Sequence, residues 1–340
     1  MRRGDDDRAE TVDRGRFPDT RTPWDDPDRR AEALDWATGR LAAHALRESG
    51  RRQVRLRPWS VLVRFSVDGG RGDRPVWFKA VPPAAAFEAG LAAGLAAWVP
   101  DHVLAPLAVD AERGWCLLPD GGPPFRQVLD EGAGTLADWE DALRRYAVMQ
   151  RALVPYAEKV TSLGVPSARP LELPGLFDTL LAENEALTGE ERAELEALRP
   201  RLVEWCAELA AVGVADSLDH ADLHDGQLFR PAPGRFTFFD WGDALVGHPF
   251  SSLLVPARSA EDRFGPQALT RLRDAYLEPW TGDGIAAGDL RRAVSLAWRL
   301  AALGRAASWG RMFPAPAAPA APGGAETALW LRELHCEPPM

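Results

Sequence analysis

The residues best suited to chemistry lie in one stretch of the chain, from His220 to His248. Three of the six histidines occur there, together with four aspartates: Asp222, Asp225, Asp240 and Asp243. A polar loop opens the stretch, and two short apolar runs follow it, 228–229 and 236–239, on either side of a Pro-Ala-Pro-Gly turn. Two short apolar runs joined by a turn predict a β-hairpin. Such a hairpin would bring the loop that carries Asp222 next to the strand end that carries Asp240.

Two neighbouring carboxylates suit phosphoryl transfer. One carboxylate orients a hydroxyl group and accepts its proton, and the second holds the Mg²⁺ ion that binds the nucleotide phosphates. A metal-dependent hydrolase is the alternative, with four candidate ligands: His220, Asp222, His224 and Asp240. The H-E-x-x-H pattern of zinc hydrolases is absent, and no cysteine pair joins the group. The sequence therefore favours phosphoryl transfer.

The same stretch resembles the catalytic core of the aminoglycoside phosphotransferase-like family, the small-molecule relatives of protein kinases. The family signature is H-x-D-x-x-x-x-N, then a hairpin, then D-W/F-x-x-x-x-x-G-x-P-x-x-D-L. Seven residues match it in register: His220, Asp222, Asp240, Trp241, Gly247, Pro249 and Leu253. Two positions differ from the signature. Gln227 stands where the family has asparagine, and Ser252 stands where the family has an aspartate that braces the catalytic loop.

The resemblance implies an α+β fold of the protein-kinase-like type with two lobes. The smaller N-terminal lobe would contain an antiparallel sheet with one helix, and the larger C-terminal lobe would be mainly helical. The resemblance also implies ATP and Mg²⁺ as cofactors. Asp222 would be the catalytic residue, Asp240 would bind the metal ion, and Gln227 is the candidate second metal ligand.

Lysine is rare in this chain, which makes each lysine informative. Only Lys79 and Lys159 occur among 40 lysine and arginine residues. Lys79 lies in the apolar run 75–81, which predicts a strand, and kinase-like folds place a phosphate-binding lysine on their third strand. A compact ammonium group suits that role. The alternative is a lysine on the solvent-facing side of a strand, and Lys159, in a polar helix end, is expected to be of this ordinary kind.

Glu88 lies shortly after Lys79, in the otherwise apolar helix predicted over 84–98. It is the only acidic residue between Asp73 and Asp101, and a carboxylate in such surroundings is costly unless it is paired. We therefore predict an ion pair between Glu88 and Lys79, as in kinase-like folds. The alternative is that Glu88 marks a solvent-facing edge of the helix.

The resemblance implies two further segments that contact the nucleotide. Protein kinases cover the phosphates with a glycine-rich loop between their first two strands, but the corresponding junction here, 57–60, contains no glycine. Phosphate contacts would then come from the backbone near Ser60, from the Ser60 hydroxyl group or from Arg57. The segment after the next strand pair corresponds to the hinge between the lobes. Three residues of this segment are implied to bind the adenine edge through their main chain: Leu117, Leu118 and Asp120.

Length and composition predict one two-lobed globular unit with extensions at both ends. The chain has 340 residues, of which 46% are hydrophobic and 26% are charged. Residues 1–26 are charged and poor in apolar side chains, which predicts a disordered arm. We place the N-lobe at 27–118 and the C-lobe at 119–312. A linker rich in proline and alanine is predicted at 313–325, and a C-terminal helix with its tail at 326–340.

Charge and hydropathy narrow the range of partners. A net charge of −10 argues against nucleic acid, which needs a basic surface, and is compatible with a cationic small-molecule acceptor. The glutamates between Glu183 and Glu196 are either a solvated helix face or part of an acceptor pocket. No uncharged stretch reaches the roughly 18 apolar residues of a membrane span. The hydrophilic N-terminus lacks a signal-peptide pattern, which predicts a cytoplasmic protein.

Two questions stay open at the level of sequence. The first is the acceptor, because amino-sugars, amino alcohols and similar molecules all suit the same core. The second is whether the chain transfers phosphate or is a kinase-like protein that only binds a nucleotide or metabolite. Gln227, Ser252 and the missing glycine loop favour binding alone. Four retained residues favour catalysis: Lys79, Glu88, Asp222 and Asp240. On balance the sequence predicts an enzyme, a phosphotransferase with an alcohol group as acceptor.

Overall fold

The computed structural model describes residues 10–69, 73–282, 284–313 and 324–340. Within these ranges the chain divides into two compact units. The first unit comprises 10–96, 104–120 and 311–313, and the second comprises 97–103, 121–310 and 324–340. One crossing of the chain from the first unit to the second falls between Asp120 and Gly121, at the segment predicted to be a hinge.

The first unit is built on a seven-stranded sheet. Its elements are β1 (Thr11–Asp13), α1 (Pro27–Ala43), β2 (Arg47–Glu48), β3 (Gln53–Arg57), β4 (Ser60–Asp68), β5 (Asp73–Ala80), α2 (Phe87–Trp98), β6 (Ala108–Asp110) and β7 (Trp115–Pro119). The strand order is β1-β3-β4-β5-β7-β6, and β2 pairs with β4. β1 runs parallel to β3, whereas the other pairs are antiparallel.

Alternation along β4 decides which face of the sheet is buried against α1. The inward side chains of β4 belong to one core cluster with the apolar face of α1: Val61, Val63, Phe65 and Val67, with Ala33, Ala37 and Leu41. Successive side chains of a strand point to opposite faces. Lys79 on β5 lies opposite Leu62 of β4 and Cys116 of β7. The lysine therefore projects from the face of the sheet that does not pack on α1.

The N-terminal segment departs from the prediction of a disordered arm. Residues 1–9 lie outside the described residues, but 10–26 contain β1, which extends the sheet. Trp24 is buried, and Arg57 Nη2 lies 2.8 Å from Asp13 Oδ2. Low apolar content predicted disorder, but the backbone hydrogen bonds of a strand at a sheet edge need no apolar side chains. The prediction is therefore wrong for residues 10–26, and the sheet is mixed where an antiparallel one was expected.

The second unit is mainly helical. Its elements are α3 (Phe125–Asp130), α4 (Leu136–Leu153), α5 (Ala157–Ser162), β8 (Ser167–Ala168), α6 (Leu173–Glu183), α7 (Gly189–Ala211), β9 (Ser217–Asp219), β10 (Leu228–Ala232), β11 (Arg235–Phe238), β12 (Leu245–Gly247), α8 (Leu254–Phe264), α9 (Gln267–Leu277), α10 (Ala287–Ser308) and α11 (Gly324–Arg332). Short strands form a sheet in the order β8-β12-β9, and β10 and β11 form an antiparallel hairpin. The core of the second unit includes Trp139 and Tyr146 on α4 and Tyr276 on α9, all fully buried. Across the described part of the chain, no helix is both long and apolar enough to cross a membrane.

The C-terminal helix belongs to the second unit. Residues 314–323, which make up most of the predicted linker, lie outside the described residues. After them α11 packs on α10, where Thr327 Oγ1 donates a hydrogen bond to the Ala306 carbonyl at 3.2 Å. Arg332 Nε lies 2.7 Å from Glu191 Oε1 on α7. These contacts attach the C-terminal segment to two helices of the unit.

Candidate active site

The first unit contains the ion pair predicted from the sequence. Lys79 Nζ lies 2.6 Å from Glu88 Oε1, and each residue is only 7% exposed. β5 provides the lysine, and the first turn of α2 provides the glutamate. Removing either partner would leave the other charge buried, which is costly, so each charge holds the other in place. The pair is confirmed, and the solvent-facing alternatives for both residues are wrong.

The turn between β3 and β4, where phosphate contacts were expected, is engaged within its own unit. Ser60 pairs with Arg57 across the turn and is 3% exposed. Arg57 forms an ion pair with Asp13, and Trp59 packs edge-on against Phe17 with ring centroids 5.1 Å apart. A phosphate contact by the Arg57 guanidinium would require its ion pair to open. A phosphate contact by the buried Ser60 hydroxyl would require the turn to move. The backbone of the turn is therefore the better candidate for phosphate contacts.

The main chain of the predicted hinge is used differently along its length. Leu117 pairs with β5 on one side and with β6 on the other, and its carbonyl oxygen accepts from the Leu107 N–H at 2.7 Å. Pairing with β6 ends at Leu117, so Leu118 and Asp120 lie beyond it. The Asp120 carboxylate accepts a hydrogen bond from Trp77 Nε1 at 3.0 Å. Leu117 is therefore the poorest of the three candidates for a main-chain contact with adenine.

The second unit contains the predicted loop with Asp222 and the hairpin that follows it. At the base of the hairpin, the Phe239 N–H donates to the Gln227 carbonyl at 3.1 Å. The His220 ring closes the loop, because its Nε2 donates to the Phe239 carbonyl at 2.8 Å. This bond ties the residue two positions before Asp222 to the residue directly before Asp240. The structure therefore places these two aspartates in one cluster, as the hairpin pattern predicted.

Strained backbone marks the same cluster. Ala221 has a φ of 59° and Asp240 has a φ of 68°, in the left-handed region that residues other than glycine rarely occupy. Each such residue costs about 1 kcal/mol or more, so surrounding contacts must hold it. Asp219 Oδ1, for example, accepts from the Ala221 N–H at 2.8 Å. Strain that a fold maintains in this way concentrates at functional sites.

Asp222 is a largely buried carboxylate beside a positive charge. Its Oδ1 lies 3.0 Å from Nη2 of Arg305 on α10, and its Oδ2 lies 3.8 Å from His224 Nε2. Burial raises the pKa of Asp222 to about 6, against the lowering effect of the Arg305 guanidinium. The Asp243 and Asp240 carboxylates raise this pKa further. A general base is most effective when its pKa lies near the working pH, so Asp222 has the property that its predicted role requires.

The metal-hydrolase alternative is not supported by the placement of its candidate ligands. His220 is fully buried, and its Nε2 is already bonded to the Phe239 carbonyl. Within the described ranges, no three histidine, cysteine or acidic side chains are placed to share a metal ion. Mg²⁺ needs no such cluster, because one or two carboxylates together with substrate phosphates and water usually complete its shell. The carboxylate of Asp240 and the amide oxygen of Gln227 are oxygen donors of the kind that Mg²⁺ prefers.

The brace expected from an aspartate at position 252 is supplied from β9. Asp219, at the end of β9, accepts from Ser252 Oγ at 2.5 Å. Gln150 Nε2 donates to the same Ser252 oxygen at 3.0 Å, and the Tyr146 hydroxyl lies 3.1 Å from it. The Tyr146 oxygen in turn accepts from the His220 N–H at 3.0 Å. The loop that carries Asp222 is thus braced by a carboxylate at position 219, whereas the family signature has it at position 252.

Asp219→Asn is expected to remove a pH dependence of stability. Burial raises the pKa of Asp219 from 3.8 to about 6, which outweighs the lowering effect of its hydrogen bonds with Ser252 and Ala221. The folded state therefore favours the protonated acid, and this contribution is lost as pH rises through about 6. The free energy of unfolding of the wild type, relative to the variant, should fall by about 2 kcal/mol between pH 4.5 and pH 7.

Urea denaturation of both proteins at the two pH values measures this difference. All other titrating groups are common to the pair, so their contributions cancel to first order. A difference in unfolding free energy that does not change with pH would contradict the protonation of Asp219 in the folded state.

Two residues of this cluster, Asp219 and Arg305, were not predicted from the sequence. Asp219 precedes the H-x-D motif directly, and the signal for it was the serine at position 252, which required a carboxylate from elsewhere. Arg305 lies in the apolar sequence Leu-Gly-Arg-Ala-Ala, where an unpaired charge is costly. Like Glu88, Arg305 is a charge within an apolar helix and therefore needs a partner.

The glutamates suggested as an acceptor pocket lie at the surface. Five of them are exposed: Glu183, Glu185, Glu190, Glu194 and Glu196. The sixth, Glu191, hydrogen-bonds with Arg332, which lowers its pKa to about 2. This arrangement favours the solvated helix face over a binding pocket.

No protein-family model matches the sequence, and no curated protein is a significant match. Solved structures do match. The macrolide 2'-phosphotransferase of Brachybacterium faecium is 20% identical, with a TM-score of 0.54, covering 88% of this chain and 98% of that chain. An ethanolamine kinase of Plasmodium vivax is 12% identical, with a TM-score of 0.54, covering 86% of this chain and 78% of that chain. Aminoglycoside 2'-phosphotransferase-IIIa, solved with GDP, is 14% identical, with a TM-score of 0.54, covering 88% and 97%.

Similarity at these identities concerns the fold. The three proteins are enzymes for different small molecules, and each matches most of this chain. The α+β class implied by the resemblance is confirmed. This chain has the protein-kinase-like fold of the small-molecule phosphotransferases.

Proposed function

We propose that this chain is a small-molecule kinase, which transfers the γ-phosphoryl group of ATP to a hydroxyl group of an acceptor. The environment of Asp222 carries the proposal: its pKa is raised to about 6, partly by the nearby Asp240 carboxylate. Strained backbone occurs at Ala221, directly before it, and at Asp240. The buried pair of Lys79 and Glu88 supports the proposal. The names of solved proteins with this fold support it too, since they refer to phosphotransferases and kinases for macrolides, ethanolamine and aminoglycosides.

Each residue has one task in the proposed reaction. Asp222 orients the acceptor hydroxyl and accepts its proton while the acceptor oxygen bonds to the γ-phosphorus. The bond from that phosphorus to the β–γ bridging oxygen breaks, and ADP leaves. Lys79, held by Glu88, binds oxygens of the α- and β-phosphates. Such catalysis consists of positioning and charge neutralisation, and it needs no covalent intermediate.

Asp240 and Gln227 are the residues that would hold Mg²⁺. When bound, the ion neutralises negative charge on the nucleotide phosphates. The hydrogen bonds from Phe239 to Gln227 and from His220 to Phe239 fix the backbone next to both residues. In the first unit, Leu118 and Asp120 are the better candidates for adenine contacts, and the backbone near Ser60 is the candidate for phosphate contacts.

Asp240→Gly is expected to remove the effect of Mg²⁺ on nucleotide binding. Glycine adopts the left-handed backbone of this position without strain, so the substitution removes the carboxylate but not the local conformation. We expect affinity for ATP in the presence of Mg²⁺ to fall by about 10-fold or more, since even the outer-shell partners of metal ligands contribute about 10- to 100-fold to metal affinity. Calorimetric titration of ATP with and without Mg²⁺ measures this loss. Asp262→Gly, at an exposed carboxylate of α8, is the control for a general effect of removing charge. An unchanged Mg²⁺ effect in Asp240→Gly would rule out this role.

Transfer of labelled phosphate tests the function as a whole. The purified protein is incubated with γ-labelled ATP or GTP, Mg²⁺ and a panel of amino-sugars, amino alcohols and macrolides. Transfer to an acceptor that Asp222→Asn does not support would establish a kinase. Nucleotide binding without transfer to any acceptor would favour the alternative, a kinase-like binding protein. Absence of binding for both nucleotides, with and without Mg²⁺, would overturn the proposal.

A further inference from the structure

A buried arginine from α10 makes two contacts with the loop that carries Asp222 and a third with Asp243, in the segment after Asp240. Arg305 is 8% exposed. Its Nη2 lies 3.0 Å from Asp222 Oδ1, and its Nη1 donates to the Ala221 carbonyl at 3.1 Å. The same Nη1 lies 3.9 Å from Asp243 Oδ1. One guanidinium group therefore contacts the candidate base, the strained residue beside it and a second carboxylate.

An aromatic ring of the C-terminal helix packs on this guanidinium. Arg305 Cζ lies 5.5 Å from the ring centroid of Trp330 on α11, a distance at which a cation is attracted to an aromatic face. The helix that carries Trp330 is itself anchored, because Arg332 forms an ion pair with Glu191. The C-terminal segment thus supports a residue that is in direct contact with Asp222.

We propose that Arg305 is the positioning residue of Asp222 and that Trp330 holds Arg305 in place. The ion pair engages Oδ1 of the carboxylate and leaves Oδ2 for the acceptor hydroxyl. This role of Arg305 rests on the proposed function of Asp222 as the base. A displacement of about 1 Å at a catalytic group can lower a rate by about 10²-fold, so a fixed carboxylate is a substantial advantage. The planar fork of arginine can bond to the carboxylate and to the Ala221 carbonyl at once, which a lysine cannot reproduce.

The charges around Asp222 give the guanidinium a second effect. Besides Arg305, four ionisable groups face this carboxylate: Asp240, Asp243, His220 and His224. Burial lowers the pKa of both histidines, so they are neutral near pH 7. The guanidinium lowers the pKa of Asp222. Its removal would raise that pKa, and the low-pH limb of the rate profile would move to higher pH.

Three variants separate positioning from general stability. Arg305→Gln should lower kcat by about 10²-fold, leave the KM for nucleotide nearly unchanged and move the low-pH limb of the kcat profile upward. Arg305→Lys should recover part of kcat and most of the pH profile, because it restores the charge but not the fork. Trp330→Leu should lower kcat less than Arg305→Gln, because the arginine remains but is less well held.

Arg299 offers a matched control on the same helix. It is 9% exposed and also packs on an aromatic ring, with its Cζ 4.4 Å from the centroid of Trp205. Its Nη1 donates to the Leu334 carbonyl at 2.9 Å. Arg299→Gln therefore removes a buried arginine that supports the C-terminal tail without touching Asp222. Both Arg299→Gln and Arg305→Gln should lower the free energy of unfolding, but Arg299→Gln should leave the pH profile of kcat unchanged.

A measurement that needs no turnover keeps this inference separate from the proposed function. In protein labelled with ¹³C at aspartate carboxyl groups, the spectrum of Asp222→Asn identifies the Asp222 resonance. Arg305→Gln should shift this resonance, Arg305→Lys should shift it less, and Arg299→Gln should leave it in place. The result holds even if no acceptor is found. An Asp222 resonance that is the same in wild type, Arg305→Gln and Arg305→Lys would overturn the inference, and so would unchanged kcat and pH profile in both Arg305 variants.

Discussion

Asp222→Asn is expected to lower the rate of phosphoryl transfer by about 10³-fold, within the range attributed to a general base, with nucleotide affinity nearly unchanged. Asparagine has almost the same shape, and its amide oxygen can still accept a hydrogen bond from Arg305. It cannot accept the proton of the acceptor hydroxyl. The loss should therefore appear in kcat, because the substitution removes a function used in the transition state more than in binding.

The measurement is steady-state transfer to the acceptor found in the screen, with calorimetry of ATP binding in parallel. In the wild type, kcat should also fall as pH drops below about 6, where burial has placed the pKa of Asp222. Asp178→Asn is the control, because Asp178 is a surface carboxylate paired with Arg199. A near wild-type rate in Asp222→Asn would show that another group takes the proton.

Lys79→Met is expected to reduce the free energy of unfolding by about 3–5 kcal/mol, the usual cost of breaking a buried pair at one partner. Methionine fills the volume of the lysine stem but leaves the Glu88 carboxylate in a site that is 7% exposed. The substitution should also weaken ATP binding, because the proposed phosphate contact is lost. The loss of stability and the loss of ATP binding should both arise in the first unit, where the pair lies.

The double variant Lys79→Met/Glu88→Leu separates these two effects. Replacing both charges with apolar groups removes the buried unpaired carboxylate, so most of the stability should return. ATP binding should stay weak, since the ammonium group is still absent. Urea denaturation and calorimetry measure the two quantities independently.

The other lysine of the chain provides the control. Lys159 is exposed, and its Nζ lies 5.2 Å from the ring centroid of Trp98. Lys159→Met should change neither unfolding nor ATP binding measurably. Equal effects of Lys79→Met and Lys159→Met would contradict the role of the buried pair, and recovery of ATP binding in the double variant would contradict the phosphate contact.

Several features of the site follow from short-range patterns in the sequence. The hairpin after Asp222 was predictable because two apolar runs and a turn specify antiparallel pairing locally. The pair of Lys79 and Glu88 was predictable because each is a charge within an apolar segment, and such a charge needs a partner. In both cases the physical requirement is visible within a few residues of the side chain concerned.

The tertiary structure alone decided the contacts that adjust Asp222. Asp219 and Ser252 are 33 residues apart, and Ala221 and Arg305 are 84 residues apart. Residues 11–13 likewise form a strand at a sheet edge that a later strand, β3, supplies. Periodicity specifies which face of an element is buried, but not which side chain of another element that face will meet. The sequence by itself therefore determined the fold class and the candidate catalytic residues, whereas packing between distant elements decided how the candidate base, Asp222, is braced and which charges surround it.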